Sequence, residues 1–181
     1  MSDTEAKIKV VFTGLNGAGK TSILRVIKDP KARIENLAPT IGFNLESLYI
    51  AGNDIRLVTW DASGQAQYRT SWQLLLKGAN LMVYVVDAAD KSRFSEAKDE
   101  LIVLLDTEAK LMPWLLVANK QDLENAVPAD QLLDALDVRN NLRNIKCSVV
   151  GTSALKKEGV EIIVPTIFEM LDDLEEESGT E

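Results

Sequence analysis

Residues 14–21 read GLNGAGKT, which is a glycine, four further residues and then Gly-Lys-Thr. The stretch follows the β-rich run KIKVVFTG at 7–14 and opens TSILRVIKD at 21–29, whose apolar residues have helical spacing. A loop of this kind between a strand and a helix is typical of phosphate binding, because its glycines let backbone N–H groups face phosphate oxygens. Lys20 adds a positive charge at the β- and γ-phosphates, and the Thr21 hydroxyl can ligate Mg²⁺. The loop alone does not distinguish ATP from GTP.

The rest of the chain alternates between strand-like and helix-like segments. Further strands are predicted at LESLYI (45–50), IRLVTW (55–60), LMVYVVD (81–87), WLLVANK (114–120) and IKCSVVGTSA (145–154). Helices are predicted at 92–106 with Ser92 as N-cap, after Pro128 in ADQLLDAL, and at 160–177; AGND at 51–54 suggests a hairpin turn. This order predicts an α/β fold, a single doubly wound, mostly parallel six-stranded sheet with flanking helices. We expect one domain over residues 1–181, with 1–6 and about 174–181 flexible.

The composition of the chain excludes some kinds of site and disfavours some classes of partner. The chain has 28 acidic and 20 basic residues, a net charge of −8, which disfavours nucleic acid or an anionic membrane as the main partner. It has no histidine, so histidine catalysis and histidine metal sites are excluded, and its single cysteine, Cys147, is expected to be an inert buried thiol. No apolar run approaches the ~20 residues of a membrane span, and MSDTEA does not resemble a signal peptide. We therefore expect a cytoplasmic protein.

WDASGQ at 60–65 is the second stretch that carries chemistry, and it lies at the end of a predicted strand. Asp61 at that position suits a role at Mg²⁺. Gly64 can offer its N–H to a γ-phosphate, and Gln65 can orient a water molecule. Taken alone, this pattern is more often a turn than a site. Thr40 in PTIGF is also weak alone, because surface threonines are common.

Two stretches after later strands indicate which base is bound. In NKQD at 119–122, the Asp122 carboxylate can accept hydrogen bonds from guanine N1 and N2, for which adenine has no matching donors. Asn119 would tie the base to the loop, and the stem of Lys120 would cover the ring. In TSAL at 152–155, the Ala154 N–H can reach guanine O6. All these stretches except Thr40 lie at strand ends, so a doubly wound sheet would gather them on one rim, where ligands bind.

With these motifs in place, the sequence resembles a small GTPase of the Ras superfamily, and it is most similar to the ADP-ribosylation factor (Arf) and Arf-like branch. The resemblance extends from residue 7 to about 172 and depends on PTIGFNLE, on WD-x-x-GQ and on NKQDL. It implies a GTP- and GDP-binding switch with Mg²⁺, in which residues 31–42 form switch I and residues 61–77 form switch II.

The resemblance also implies individual roles. Catalysis would involve Gln65, Lys20 and Gly64, and Mg²⁺ would be ligated by Thr21 and Thr40 with Asp61 behind it. Nucleotide binding would involve Asn16, Gly17, Ala18, Gly19, Lys20, Thr21, Ser22, Thr40, Gly64, Asn119, Lys120, Asp122, Ser153 and Ala154.

Several positions depart from the family pattern. Residue 2 is Ser where membrane-bound members carry a myristoylated glycine on an amphipathic helix, so no direct membrane anchor is evident. Asn16 stands where Asp is frequent, and Ser63 replaces a glycine, which is expected to stiffen the start of switch II. The family's effector surface is an aromatic triad; Phe43 and Trp60 match it, and the third position corresponds to Leu75.

The function expected from these observations is a nucleotide-dependent switch that hydrolyses GTP slowly, in trafficking or in membrane or cytoskeletal regulation. Its protein partners would be an exchange factor, a GTPase-activating protein and effectors. Arg33 lies too far from Thr40 to act as an internal arginine finger, so a partner would supply one. Two alternatives remain open: a nucleotide-loaded scaffold without significant hydrolysis, and a P-loop phosphotransferase.

Overall fold

The computed structural model describes residues 6–34, 37–50 and 55–178, and the predicted turn at 51–54 lies outside them. The strands are β1 (Ala6–Thr13), β2 (Phe43–Ile50), β3 (Ile55–Ala62), β4 (Leu81–Asp87), β5 (Trp114–Asn119) and β6 (Cys147–Gly151). The α-helices are α1 (Lys20–Lys28), α2 (Trp72–Leu76), α3 (Phe94–Leu105), α4 (Leu132–Ala135), α5 (Arg139–Leu142) and α6 (Ile163–Ser178). A 3₁₀ helix, Ala66–Ser71, leads into α2.

The strands form one six-stranded sheet in the order β2-β3-β1-β4-β5-β6. Only β2 runs antiparallel to its neighbour, and Ile50 pairs with Ile55 across the two strands. The other neighbouring strands are parallel, which confirms the predicted fold class. In the sheet, β1 lies between β3 and β4. The carboxyl ends of all five parallel strands meet at one rim.

The core consists of two apolar layers, one on each face of the sheet. Alternate residues of a strand enter opposite layers: Met82 and Tyr84 of β4 pack in one, and Val83 and Val85 pack in the other. Strands β4 and β5 are buried on both faces almost throughout, as their continuous apolar sequences predicted. The central strands are therefore packed on both faces, and this fixes the points from which the loops at their carboxyl ends begin.

Several local boundaries differ from the predictions. Helix α3 begins at Phe94 after a 3₁₀ turn, and the Ser92 hydroxyl donates to Asp90 Oδ1 at 2.5 Å, so Ser92 as N-cap was wrong. The helix predicted after Pro128 is a 3₁₀ turn, Ala129–Gln131, followed by the short α4. The last strand is shorter than predicted, because the chain turns away from the sheet after Gly151.

The ends of the chain are described only in part. Residues 1–5 and 179–181 lie outside the described residues, whereas Ala6 begins β1 and α6 continues to Ser178. Within the described ranges, no helix combines the length and the apolar character that crossing a bilayer requires.

Candidate functional site

The phosphate loop, residues 14–21, connects β1 to α1 and lines one side of a cleft of about 290 Å³. The other side of the cleft consists of residues 37–40 and 63–65. Gly19 precedes α1 with a φ of 99°, in the left-handed region. A Cβ on Gly19 would lie 2.2 Å from the Asn119 amide nitrogen, so glycine is required here by conformation and by space. The predicted phosphate-binding residues Gly17, Gly19, Lys20, Thr21 and Ser22 all line this cleft.

Lys20 is almost completely buried beneath the phosphate loop. Its ammonium donates to the carbonyl oxygens of Gly14 at 2.8 Å and Leu15 at 3.0 Å. Burial lowers the pKa of Lys20 to about 8, since the charged form loses hydration, and the nearby Asp61 carboxylate partly opposes the shift. The ammonium is therefore desolvated and held by the loop backbone at the place where phosphate oxygens are expected.

The three predicted metal ligands converge beside Lys20. Thr21 Oγ1 donates to Asp61 Oδ2 at 2.5 Å and lies 3.0 Å from Thr40 Oγ1, which is 3.5 Å from the same carboxylate oxygen. Asp61 is 2% exposed, and its other oxygen, Oδ1, has no hydrogen-bond partner among the described residues. Burial raises the pKa of Asp61.

This donor set fits Mg²⁺. A buried carboxylate with an unpaired oxygen is costly without a cation, and two hydroxyls with one carboxylate are the hard oxygen ligands that Mg²⁺ uses together with substrate phosphates. Thr21, Thr40 and Asp61 would hold the ion.

Gly64 and Gln65 close the cleft from the switch II side. The Gly64 carbonyl accepts from the Asn16 N–H at 3.0 Å, and a Cβ on Gly64 would lie 2.3 Å from that nitrogen. Gln65 Nε2 lies 3.4 Å from the Thr40 carbonyl oxygen. Both residues are therefore beside the place expected for the γ-phosphate.

Asn119 joins the base-binding loops to the phosphate loop. Its Nδ2 donates to the Ala18 carbonyl at 2.8 Å, and its Oδ1 accepts from Thr152 Oγ1 at 3.0 Å and from the Ala154 N–H at 3.1 Å. The predicted role of Asn119 as a tie between loops fits these contacts. The Ala154 N–H, predicted to reach guanine O6, donates to Asn119 in this structure, so its role at the base remains a prediction.

Asp122 lies beside Ser153, whose hydroxyl donates to Asp122 Oδ1 at 2.6 Å. Lys120 has a positive φ of 68° and forms an ion pair with Asp87 at the end of β4. The ion pair fixes the end of the Lys120 side chain. The predicted base-binding residues are thus gathered on the loops after β5 and β6.

The backbone N–H groups of Asn16 and Ala18, which were predicted to bind phosphate, donate to protein carbonyls in this structure. The Asn16 N–H donates to Gly64, and the Ala18 N–H donates to the Leu15 carbonyl at 3.3 Å. The Asn16 side chain faces Arg93, whose guanidinium donates to Asn16 O at 2.7 Å and to Oδ1 at 2.9 Å. Asn16 therefore contacts the 3₁₀ turn that precedes α3.

Sequence motifs did not indicate the network of arginines that lies behind the cleft. Arg69 is buried and donates to the Gly64 carbonyl at 3.0 Å, to Glu100 at 2.8 Å and to Glu96 at 2.6 Å. Glu96 also accepts from Arg93 at 2.9 Å, so the network connects switch II through α3 to the phosphate loop. The sequence feature that could have indicated this network was the i, i+4 spacing of the two glutamates, which places them on one face of a helix.

Of the residues predicted to form the effector surface, Phe43 is exposed, Trp60 is half-buried and Leu75 is buried. Phe43 is 48% exposed and stacks on the half-buried Trp60, with ring centroids 5.1 Å apart. Leu75 is 5% exposed, because α2 turns this side chain and its neighbour Leu76 into the core. The exposed apolar side chains here are instead Ile41, Phe43, Leu45 and Leu74.

Comparisons with known proteins identify the family. The sequence profile of the ADP-ribosylation factor family matches residues 1–171. ADP-ribosylation factor-like protein 3 of Caenorhabditis elegans is 36% identical over 160 residues, which cover 88% of this chain and 85% of that protein. The fold is similar to that of the Arl6 (BBS3) small GTPase of Trypanosoma brucei, solved with the bound nucleotide analogue GppNp; the TM-score is 0.83 at 24% identity, over 93% of this chain and 99% of the other.

The family match covers nearly the whole sequence, and the glycine loop, Asp61 and Asn119 stand at the carboxyl rim of a sheet with the matching fold. Members of this family are in general GTP hydrolases that act as nucleotide-dependent switches. The chain belongs to the ADP-ribosylation factor family of small GTPases.

Proposed function

We propose that this chain is one G domain over residues 1–181 that binds GTP and GDP with Mg²⁺ and hydrolyses GTP slowly. The observation that carries the proposal is the convergence of Thr21, Thr40 and Asp61 beside Lys20. These residues come from α1, from the segment before β2 and from β3. Such a convergence of hydroxyls, a carboxylate and an ammonium has no role in a purely structural rim, but it suits a Mg²⁺-bound triphosphate.

Thr21, Thr40 and Asp61 would hold Mg²⁺, whose positive charge would offset the negative charge of the phosphate oxygens. Thr40 belongs to switch I and Asp61 to switch II, so both segments would be ordered by the same site. Loss of the γ-phosphate would remove a shared contact of both segments. This is the physical basis for a switch.

Hydrolysis joins a water oxygen to the γ-phosphorus and breaks the bond to the oxygen between the β- and γ-phosphates. The Gln65 side-chain amide, beside the Thr40 carbonyl, is positioned at the switch I side of the cleft to orient that water. The Lys20 ammonium would stabilise negative charge on the phosphate oxygens.

The positions of the arginines near the site support the proposal of slow turnover. Arg69 and Arg93 lie close by, but their guanidinium groups are engaged by Glu96, Glu100 and Asn16. We therefore propose that a partner arginine accelerates the reaction, by roughly 10³–10⁵-fold as in related systems. The exposed residues Ile41, Phe43 and Leu45, next to Thr40, would present an effector surface that depends on the nucleotide. The pathway that we propose is trafficking or membrane or cytoskeletal regulation.

The first test is single-turnover hydrolysis of preloaded GTP, started with Mg²⁺. We expect a slow release of phosphate that EDTA prevents. Gln65→Leu should lower the rate on the order of tenfold or more while GTP binding is kept. The control is Gln73→Leu, an exposed glutamine of α2, which should hydrolyse GTP at the wild-type rate. No binding of GTP or GDP would refute the proposal, and binding without hydrolysis would favour the scaffold.

Base selection is tested separately at Asp122. Asp122→Asn should weaken binding of GTP and improve binding of xanthosine triphosphate, because xanthine offers an acceptor where guanine has its N2 donor. Asp130→Asn changes an exposed carboxylate close in sequence and should leave both affinities unchanged. Unchanged GTP affinity in Asp122→Asn would remove the assignment of the guanine site.

A further inference from the structure

The hydroxyl of Ser63 lies between switch I and switch II. Ser63 is 1% exposed, and its Oγ donates to the Thr40 carbonyl at 2.7 Å. The same oxygen accepts from the Gln65 N–H at 3.3 Å. One hydroxyl group therefore contacts both the switch I threonine beside Asp61 and the glutamine beside the cleft.

The backbone of Ser63 is held independently of its side chain. Its N–H donates to the Gly42 carbonyl at 2.8 Å, and its carbonyl accepts from Trp72 Nε1 at 2.8 Å. Because both bonds fix the peptide groups, the direction of the Cα–Cβ bond is set by the fold. Removal of Oγ would delete the contacts with Thr40 and Gln65 and leave the two backbone bonds in place.

The Thr40 carbonyl is a shared acceptor. It receives the Ser63 hydroxyl, and Gln65 Nε2 lies 3.4 Å from the same oxygen. The Thr40 hydroxyl on the other side of the residue lies 3.0 Å from Thr21 Oγ1. Thr40 is thus held through its backbone by switch II while its side chain faces the proposed metal site.

We propose that Ser63 is a positioning residue that holds Thr40 and Gln65 in the arrangement required by GTP. The inference rests on the proposed function, since it assumes that Thr40 stays beside Asp61 only while a γ-phosphate is bound. With that assumption, the bond from Ser63 to Thr40 would be lost when Thr40 moves away from Asp61, so the bond would stabilise the GTP-bound form relative to the GDP-bound form. A net hydrogen-bond contribution of ordinary size changes such an equilibrium by about two- to tenfold.

The test compares Ser63→Ala with Ser71→Ala. The Ser71 hydroxyl also donates to a backbone carbonyl, that of Tyr68 at 2.6 Å, but the bond stays within switch II. For each variant and the wild type, dissociation of fluorescent GDP and of a fluorescent non-hydrolysable GTP analogue is measured in Mg²⁺ by displacement with unlabelled nucleotide. Single-turnover GTP hydrolysis is measured on the same preparations.

In Ser63→Ala, we expect the GTP analogue to dissociate about two- to tenfold faster and hydrolysis to slow by a similar factor, while GDP dissociation stays near the wild-type rate. Ser71→Ala should change neither the ratio of the two dissociation rates nor hydrolysis. If a cooperatively folded Ser63→Ala protein shows the wild-type ratio of the two dissociation rates, the proposal is overturned. Equal acceleration for both nucleotides would also overturn it, because a general structural role predicts that result.

Two further outcomes are distinguishable. If Ser63→Ala does not unfold cooperatively, Ser63→Cys replaces it in the test. The cysteine side chain is of similar size, but its thiol is a much weaker donor than the hydroxyl, and the same ratio of the two dissociation rates tests the proposal. Wild-type protein that binds neither nucleotide would overturn the proposed function itself, and with it the role of Ser63.

Discussion

Replacing Arg69 with methionine tests how strongly the network behind the cleft stabilises the fold. The methionine retains an unbranched apolar side chain but removes three hydrogen bonds, to Gly64, Glu96 and Glu100. The Arg69 side chain is 8% exposed, whereas Glu96 and Glu100 are 41% and 26% exposed. Hydrogen bonds to charged groups contribute about 1.5–3 kcal/mol each, but the two carboxylates can regain water, so the sum must be reduced.

We expect a loss of about 2–3 kcal/mol in the free energy of unfolding, less than the ~3–5 kcal/mol for a fully buried pair. For a chain of this size, this corresponds to a fall in Tm of roughly 4–12 °C. Thermal and urea unfolding of the nucleotide-free protein would measure both quantities.

Arg139 supplies the matched control. It forms a two-bond ion pair with Asp134, with N···O distances of 2.6 and 2.9 Å, but both side chains are more than half exposed. Arg139→Met should leave Tm essentially unchanged, because solvent screens the pair. Equal effects of the two substitutions, or no effect of Arg69→Met, would refute the reasoning from burial.

Three further predictions concern separate parts of the structure. Gly64→Ala should weaken binding of a GTP analogue at least tenfold, measured by fluorescence titration, because the new Cβ would lie 2.3 Å from Asn16 N; an unchanged affinity would contradict the close packing. Tyr84→Phe should lower the free energy of unfolding by about 1–3 kcal/mol, since it removes the 2.8 Å bond to the buried Ala97 carbonyl, and nucleotide affinity should not change. Burial raises the pKa of Cys147 from 9.0 to about 11, so the unfolded chain loses this proton first and stability should fall as the pH rises from 9 towards 11. Cys147→Ala should flatten that part of a pH series of urea unfolding curves, and identical slopes would show that another group is responsible.

The site was largely predictable because its parts depend on short local patterns. The glycine loop follows β1, Asp61 lies near the end of β3 and Asn119 ends β5, and a parallel sheet brings strand ends together whatever the details of packing. The two-sided burial of β4 and β5 likewise follows from continuous apolar sequence.

The remaining features depend on contacts that sequence patterns do not specify. Leu74, Leu75 and Leu76 are consecutive, so periodicity alone does not decide which of them faces the core; packing on the sheet exposes the first and buries the other two. The pairing of Arg69 with Glu96 and Glu100 joins residues about 30 positions apart, and it becomes visible only once α3 lies beside switch II.

Asn119 and Asp122 of NKQD differ in how far their contacts extend. Asp122 bonds Ser153 on the neighbouring loop, whereas Asn119 bonds the Ala18 carbonyl and so reaches the loop that holds phosphate. A change at Asp122 can therefore alter which base is preferred while the phosphate loop keeps its shape. A change at Asn119 would weaken the binding of every nucleotide alike, whatever its base. With the base site proposed above, we therefore expect base preference and overall affinity to be separately adjustable, the first through Asp122 and the second through Asn119.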